Sequence, residues 1–440
     1  MTINRRGFLS VAAATAVAPL LSEKRARAGA RPAGRFPAGF LWGASTAGQQ
    51  IEGNNVSSDC WLAENVRPTI FSERSGDADN SLELWPVDLD LVRGIGLNAY
   101  RFSLEWARIE PEPGMFSVAM LDHYQAIVEG CRGRGIAPVV TFSHDSVPWW
   151  FAARGGWTQP DAPGLFARFC ERAARHLAQG IAYALTLNEP NDGIMVRASL
   201  PEQFVVALRA TNQAAGRACG SPGFRLAILP EPAQAELAQS NLLSAHKAGR
   251  AAIKAARSDL PVGFSLALPD DEAVGPHSLR NAMRAEFYGP WLEIAKHDDF
   301  LGVQNYDRVR WSDTGRLPLP PGAIASPAGN EVYAPSLARA VRYAHRSTGV
   351  PILVTEHGIC TDDDALRAKF IAGALTDLQG VIAEGVPVRG YMHWTLMDDW
   401  EWFAGYSQRY GLCNVDRLTF KRTPKPSAGV LGAIARRNAV

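Results

Sequence analysis

The sequence predicts an α/β protein built as a single (β/α)8 barrel of the TIM type. Two observations carry this. Eight short apolar runs alternate with longer stretches of helical periodicity, and polar or aromatic residues gather at the C-terminal ends of those runs.

The runs span residues 40–46, 99–106, 137–144, 183–190, 262–268, 299–306, 351–358 and 388–396. Each is nearly continuous in hydrophobicity, as a strand buried on both faces must be. Between them lie amphipathic stretches: residues 167–177 put Phe169, Ala173 and Leu177 on one face, and residues 337–344 and 366–383 are built alike. Alternating strands and helices imply a parallel sheet, and eight such units predict a closed barrel. A chain of 440 residues with 47% hydrophobic content can fill its core.

The rim residues are Gln50 and Glu52, Arg101 and Glu105, His144, Asn188 and Glu189, Gln304 and Tyr306, Glu356 and His357, and Trp394. A charge closing a buried apolar strand is costly unless paired or wet. In this fold those strand ends form the catalytic face.

Residues 1–28 read as a twin-arginine export signal. Asn4-Arg5-Arg6-Gly7-Phe8-Leu9 is followed by an apolar run over residues 11–21, then by Ala26-Arg27-Ala28, a small-x-small cleavage site. The run is shorter than the roughly 20 residues a spanning helix needs. The expected division is a signal over 1–28 and one catalytic domain over 29–440, delivered folded to the periplasm or outside. The signal carries five basic residues and one acidic one, so 40 basic and 43 acidic residues remain. That near balance asks for neither nucleic acid nor an anionic membrane surface. The six cysteines form no CxxC pair, which disfavours a redox motif or a zinc knuckle. Disulfides and buried free thiols both fit an oxidising destination.

Two carboxylates stand out. Glu189 closes the fourth run in Leu187-Asn188-Glu189-Pro190, and Glu356 closes the seventh in Val354-Thr355-Glu356-His357. Across a barrel mouth such ends can face each other. Glycoside cleavage needs this pair, one carboxyl to protonate the departing oxygen and one to meet the oxocarbenium-like carbon. Spacing in sequence does not choose between direct attack with retention and water attack with inversion.

The words around these residues resemble glycoside hydrolase family 1, the β-glucosidase family, from about residue 35 to 427. They include Phe40-Leu41-Trp42-Gly43-Ala44-Ser45-Thr46-Ala47 with Gln50-Ile51-Glu52-Gly53, Tyr100-Arg101-Phe102-Ser103-Leu104-Glu105-Trp106, and Gly155-Gly156-Trp157. Asn188-Glu189-Pro190, Thr355-Glu356 with Gly358, and Trp394-Thr395-Leu396-Met397-Asp398-Asp399-Trp400-Glu401-Trp402 follow in order.

The resemblance implies a retaining β-glycosidase with Glu189 as general acid/base and Glu356 as nucleophile. It implies a sugar held by Gln50, His144, Asn188, Trp394, Glu401 and Trp402. Arg101 is then the counter-charge of Glu356, and Tyr306 a hydrogen-bond donor to it. Two carboxylates supply proton and nucleophile, so no metal or organic cofactor is needed. Glu401 at the sugar's far end would repel a phosphate, which favours an unphosphorylated glycoside.

The expected activity is that of a β-glucosidase acting on small oligosaccharides or on aryl and alkyl glucosides. Galactoside or fucoside specificity and transglycosylation are the enzymatic rivals. A carbohydrate-binding pseudoenzyme is the rival from another class, and the presence of both carboxylates disfavours it.

The chain also departs from the family pattern. His144 is followed by Asp145-Ser146-Val147-Pro148, where an aromatic and then Asp-Leu-Pro are usual. His357 replaces an Asn, where it serves as a neighbour filling space rather than as a pH-tuning group. Gln304 and Asn305 replace Asn and Tyr. Asn330 stands where a Trp usually stacks on the leaving group, so sequence does not identify the aglycone.

Overall fold

In the computed structural model, which describes residues 34–197 and 199–440, the eight apolar runs become eight parallel strands. They are β1 Leu41–Ser45, β2 Ala99–Ser103, β3 Ala137–Ser143, β4 Tyr183–Leu187, β5 Val262–Gly263 continued as Ser265–Ala267, β6 Leu301–Asn305, β7 Ile352–His357 and β8 Val388–Trp394. Each observed strand lies inside its expected run. The run ends are longer because their last residues already belong to the rim loops. The expected export signal lies outside the described residues.

The strands neighbour one another in chain order, and β8 returns to pair with β1. The ring closes through β5. Its first half pairs with β4, Ala184 opposite Val262, and its second half pairs with β6, Ser265 opposite Gly302. Phe264 marks the changeover, and its carbonyl accepts from the Gly302 amide at 2.9 Å. The protein is therefore a single (β/α)8 barrel.

The helices that follow successive strands are α1 Ser81–Ile95, α2 Val118–Gly133, α3 Ala162–Leu177, α4 Ala235–Ala256, α5 Arg280–Ala295, α6 Ser336–Thr348, α7 Asp364–Ala383 and α8 Pro426–Arg437. Local chemistry sets their ends. Asp363 caps α7 by accepting from the Ala365 and Leu366 amides. Gly349, at φ +75°, ends α6 where a side chain would be strained.

The barrel interior is filled at its base by Ala99, Val139, Leu185, Phe300, Leu353 and Met392, so it is a packed core and not a channel. Outside the strands, Trp106 packs among Trp150, Phe151, Trp157, Phe166 and Phe169. That cluster explains the Gly155-Gly156-Trp157 word, which is structural.

Glu52 and Glu105 are structural too. Glu52 pairs with Arg108 at 2.7 Å. Glu105 accepts from the Gln49 amide, Asn55 and Ser146, and burial and the Glu52 charge push it up to about 8. All six cysteines are free thiols. Among the described residues, no helix is long and apolar enough to cross a membrane.

Candidate active site

The rim at the C-terminal strand ends holds a pocket of about 180 Å³. Its walls include His144, Asn188, Glu189, Tyr306, Glu356, Trp394, Glu401 and Trp402, eight of the ten residues singled out from sequence. Asp145, Asn330 and Tyr410 complete it. The other two, Gln50 and Arg101, are fully buried and lie outside this lining.

Glu356 is aimed by a local irregularity. Against β6, strand β7 slips by one residue between Val354 and Glu356, which leaves Glu356 opposite Gln304. Such bulges redirect side chains beside active sites. Gln304 then donates to Glu356 Oε1 at 2.6 Å, and Arg101 donates to the same oxygen at 2.5 Å. Tyr306 donates to Oε2 at 2.5 Å. Burial lifts the Glu356 pKa above the usual carboxylate range, while the Arg101 charge and these bonds pull against it. Two residues on, Gly358 is required, because a Cβ there would meet the Trp394 carbonyl oxygen at 2.1 Å. That close approach brings Trp394 over the pocket.

Glu189 leaves β4 in the left-handed region at φ +35°. Pocket residues Asp145 and Trp402 share that unfavourable conformation at +66° and +39°. Non-glycine residues in this region cost on the order of 1–3 kcal/mol each and persist where the surroundings hold them. The hold on Glu189 is visible. The Asn188 amide donates to Ser143 of β3 at 2.9 Å, and the Asp192 amide donates to the Glu189 carbonyl at 3.0 Å.

Burial raises the Glu189 pKa well above the ordinary value, and the charges of Asp192, Glu356 and Asp145 add to the rise. These effects favour the protonated form of Glu189, and the Asp192 side chain lies within hydrogen-bonding reach of it. Asp192 itself is pushed up to about 7 by burial. The two glutamates therefore sit in different surroundings, Glu189 among carboxylates and Glu356 beside a guanidinium.

Asn188 joins the two halves. Its Oδ1 accepts from Arg101 and from Gln304, each at 2.8 Å, so only its NH2 faces the pocket, 3.3 Å from Asp145 Oδ2. His144 stacks on Trp394 and Trp402 with centroid separations of 5.6 and 6.3 Å. Burial and Arg101 depress its pKa well below the usual value, so it is neutral.

At the far wall, Trp394 donates to Glu401 at 3.3 Å. Burial pushes Glu401 up to about 7, against the pull of bonds from Trp394, Asp399 and Gln50. Gln50 is fully buried. Its amide also donates to the Trp400 carbonyl at 3.0 Å.

Sequence reasoning missed Asp192 and gave Gln304 no role. Asp192 lies three residues beyond Glu189 at the start of a helical turn, Asp192–Val196, but Glu189 stands outside that helix at φ +35°, so no helical spacing signalled the pair. Nothing in the sequence betrays the bulge that makes Gln304 a partner of Glu356. His357 is buried, stacked on Phe370 and within 2.9 Å of the Tyr391 hydroxyl. Burial pulls its pKa down to about 3, which fits a space-filling neighbour.

The model of the family described as Glycosyl hydrolase family 1 matches residues 33–211 and 323–440. A β-glucosidase of an Agrobacterium species is 30% identical, over 92% of this chain and 96% of its own. Among solved structures, an apo β-glucosidase is 39% identical with a TM-score of 0.87, covering 91% of this chain and 99% of its own. A crystal structure of a β-glycosidase is 41% identical with a TM-score of 0.86, covering 92% and 98%. Family words, barrel, carboxylate pair and full-length matches agree: the chain is a glycoside hydrolase and belongs to glycosyl hydrolase family 1.

Proposed function

We propose that the protein is a retaining β-glucosidase that removes terminal non-reducing β-D-glucosyl residues by double displacement. The observation that carries this is the environment of Glu356: both oxygens are tied down, by Arg101 and Gln304 on one side and Tyr306 on the other, in the pocket that Glu189 shares. In the first step Glu356 attacks the anomeric carbon, the C–O bond breaks, and Glu189 gives its proton to the departing oxygen. The ester that forms removes the Glu356 charge, one of the groups that hold the Glu189 proton on. Glu189, now ionised, takes a proton from water, and the resulting hydroxide releases the sugar with its original configuration.

His144, the Asn188 amide and Glu401 provide directional partners for hydroxyls, and Trp394 and Trp402 provide faces for the sugar's C–H surface. The test is a panel of aryl β-glycosides, with the product anomer followed by NMR. Glucoside should lead the panel and the β-anomer should form first. First appearance of the α-anomer rules out double displacement. Glu356→Gln should abolish turnover.

We further propose export by the twin-arginine route, on the strength of the Arg5-Arg6 pattern and the Ala26-Arg27-Ala28 site. Fractionation of expressing cells decides it: a mature enzyme confined to the cytoplasm contradicts export.

A further inference from the structure

We infer that Asp145 is a specificity-determining residue that extends the enzyme to β-D-glucosaminides, in which an amine replaces the hydroxyl next to the anomeric carbon. This rests on the β-glucosidase reading above.

Asp145 stands where the family pattern has an aromatic, and the structure presents its carboxyl to the sugar. It is the centre of a γ-turn of the rare positive-φ form. Its φ is +66°, and the Ser146 amide donates back to the His144 carbonyl at 2.7 Å. The next two residues pin the turn. The Ser146 hydroxyl donates to the buried Glu105 at 2.6 Å, and the Val147 amide donates to Asp59 at 3.0 Å. Asp145 thus lines the pocket from a fixed support. Its Oδ2 accepts from the Asn188 NH2 at 3.3 Å and lies 3.7 Å from His144 Nε2. Its Oδ1 has no hydrogen-bond partner among the described residues.

The neighbours of Asp145 define which sugar substituent it meets. Asn188 precedes the acid/base Glu189, and it shares Arg101 and Gln304 with the nucleophile. Its NH2 therefore faces the carbon next to the anomeric one, whose substituent makes hydrogen bonds that strengthen in the transition state. Asp145 adjoins that NH2 and faces the same substituent.

The electrostatics favour an amine there. The pocket wall holds four carboxyls, Asp145, Glu189, Glu356 and Glu401, and neither Lys nor Arg. Arg101 is buried and committed to Glu356, Asn188 and Thr141, and His144 is neutral. Burial and the charges of Asp192 and Glu356 raise the Asp145 pKa well above its ordinary value, against the pull of Asn188 and Arg101. Charges that disfavour a further anion favour a cation at the same point. An ammonium group there holds Asp145 ionised and pairs with its free oxygen. The pair in turn offsets the ammonium charge, which would otherwise oppose the positive charge that grows at the anomeric carbon. An amine is about as large as the hydroxyl it replaces, so the pocket needs no added room.

The test compares D-glucosamine with D-glucose as competitive inhibitors of aryl β-glucoside hydrolysis. The assay runs at about pH 6, below the roughly 7.7–8.0 at which an α-amino group titrates. A hydrogen bond between charged groups is worth about tenfold or more in affinity, so glucosamine should bind at least about tenfold more tightly. Asp145→Asn keeps the side-chain shape and tolerates positive φ. It should cut the glucosamine-to-glucose preference about tenfold, a ratio from which any general loss cancels. Should that variant fail to fold, the wild-type pH series decides: the preference should fade as pH passes about 8 and the amine loses its proton. N-acetylglucosamine, which carries no charge, should show no preference over glucose. An aryl β-D-glucosaminide should be hydrolysed, and Asp145→Asn should lower its kcat/KM relative to that of the glucoside. Equal inhibition by glucosamine and glucose, a preference unmoved by Asp145→Asn or by pH, or an aryl glucosaminide left intact overturns the inference while leaving a β-glucosidase. No turnover of any β-glucoside overturns the function itself.

Discussion

Arg101→Met tests the claim that a single ion pair keeps the nucleophile usable. Arg101 is fully buried, 2.5 Å from Glu356 Oε1. Glu356 shares its surroundings with Glu189, Asp192, Asp145 and Glu401, each of which feels its charge. Arg101 is the cation that offsets this crowd. Two charges about 4 Å apart at an effective dielectric of about 20 interact by about 4 kcal/mol, and breaking a buried pair costs about 3–5 kcal/mol.

A carboxylate that loses its counter-charge answers by binding a proton. The nucleophile must be ionised, so the cost is read as a smaller ionised fraction. At neutral pH kcat/KM should fall about 10²- to 10³-fold. The sign of the pH effect follows. Removing a positive charge raises the Glu356 pKa further, so the acid limb of kcat/KM against pH moves to higher pH and part of the loss is recovered in alkali. Arg101→Lys keeps the charge but loses the fork to Asn188 and Thr141, and should hold the acid limb near its original place. The assay is a pH series on an aryl β-glucoside, with circular dichroism confirming the fold. An equal loss at every pH, with the acid limb unmoved, would show that Arg101 is only a scaffold.

Two further outcomes concern groups near the reacting pair. Asp192→Asn removes a negative neighbour that, with burial, Glu356 and Asp145, holds the Glu189 proton on. The Glu189 pKa should fall, and the basic limb of kcat/KM should move to lower pH; a basic limb that stays put refutes the role of Asp192. His357→Asn should leave both limbs in place, because a histidine held at about 3 is neutral across the working range; a moved limb would mean that His357 titrates with the nucleophile.

The sequence was a good guide wherever backbone periodicity or a short word sets the outcome. Continuous burial on both faces made all eight strands readable, and strand ends made the rim readable. It was a poor guide to depth. Gln50 and Arg101 sit on the same rim as His144 in sequence terms, yet neither joins His144 in the pocket lining. Glu52 and Glu105 end their runs as Glu189 does, but they brace Arg108 and the loop at Ser146. A carboxylate at a strand end looks alike in sequence whether a cation, a hydroxyl or a substrate meets it. Gln304 depends on a one-residue slip between β7 and β6 that no local pattern records.

The site divides into halves under different constraints. The sugar half must present fixed donors, so its residues are locked by partners: Trp394 by the close approach at Gly358, Glu401 by Asp399, Trp394 and Gln50, and Asn188 by Arg101 and Gln304. A change in any of these shifts the reacting geometry, and these residues fall in the segments the family model matches, except Gln304. The neighbouring cavity that Asn330 also lines mixes apolar side chains with Asp271, Asp307 and Arg316, and most of its residues come from the unmatched stretch. Gln304 and Tyr306 come from that stretch too, yet both act on the nucleophile. They sit at the end of β6, where closure of the barrel dictates position whatever the intervening sequence does.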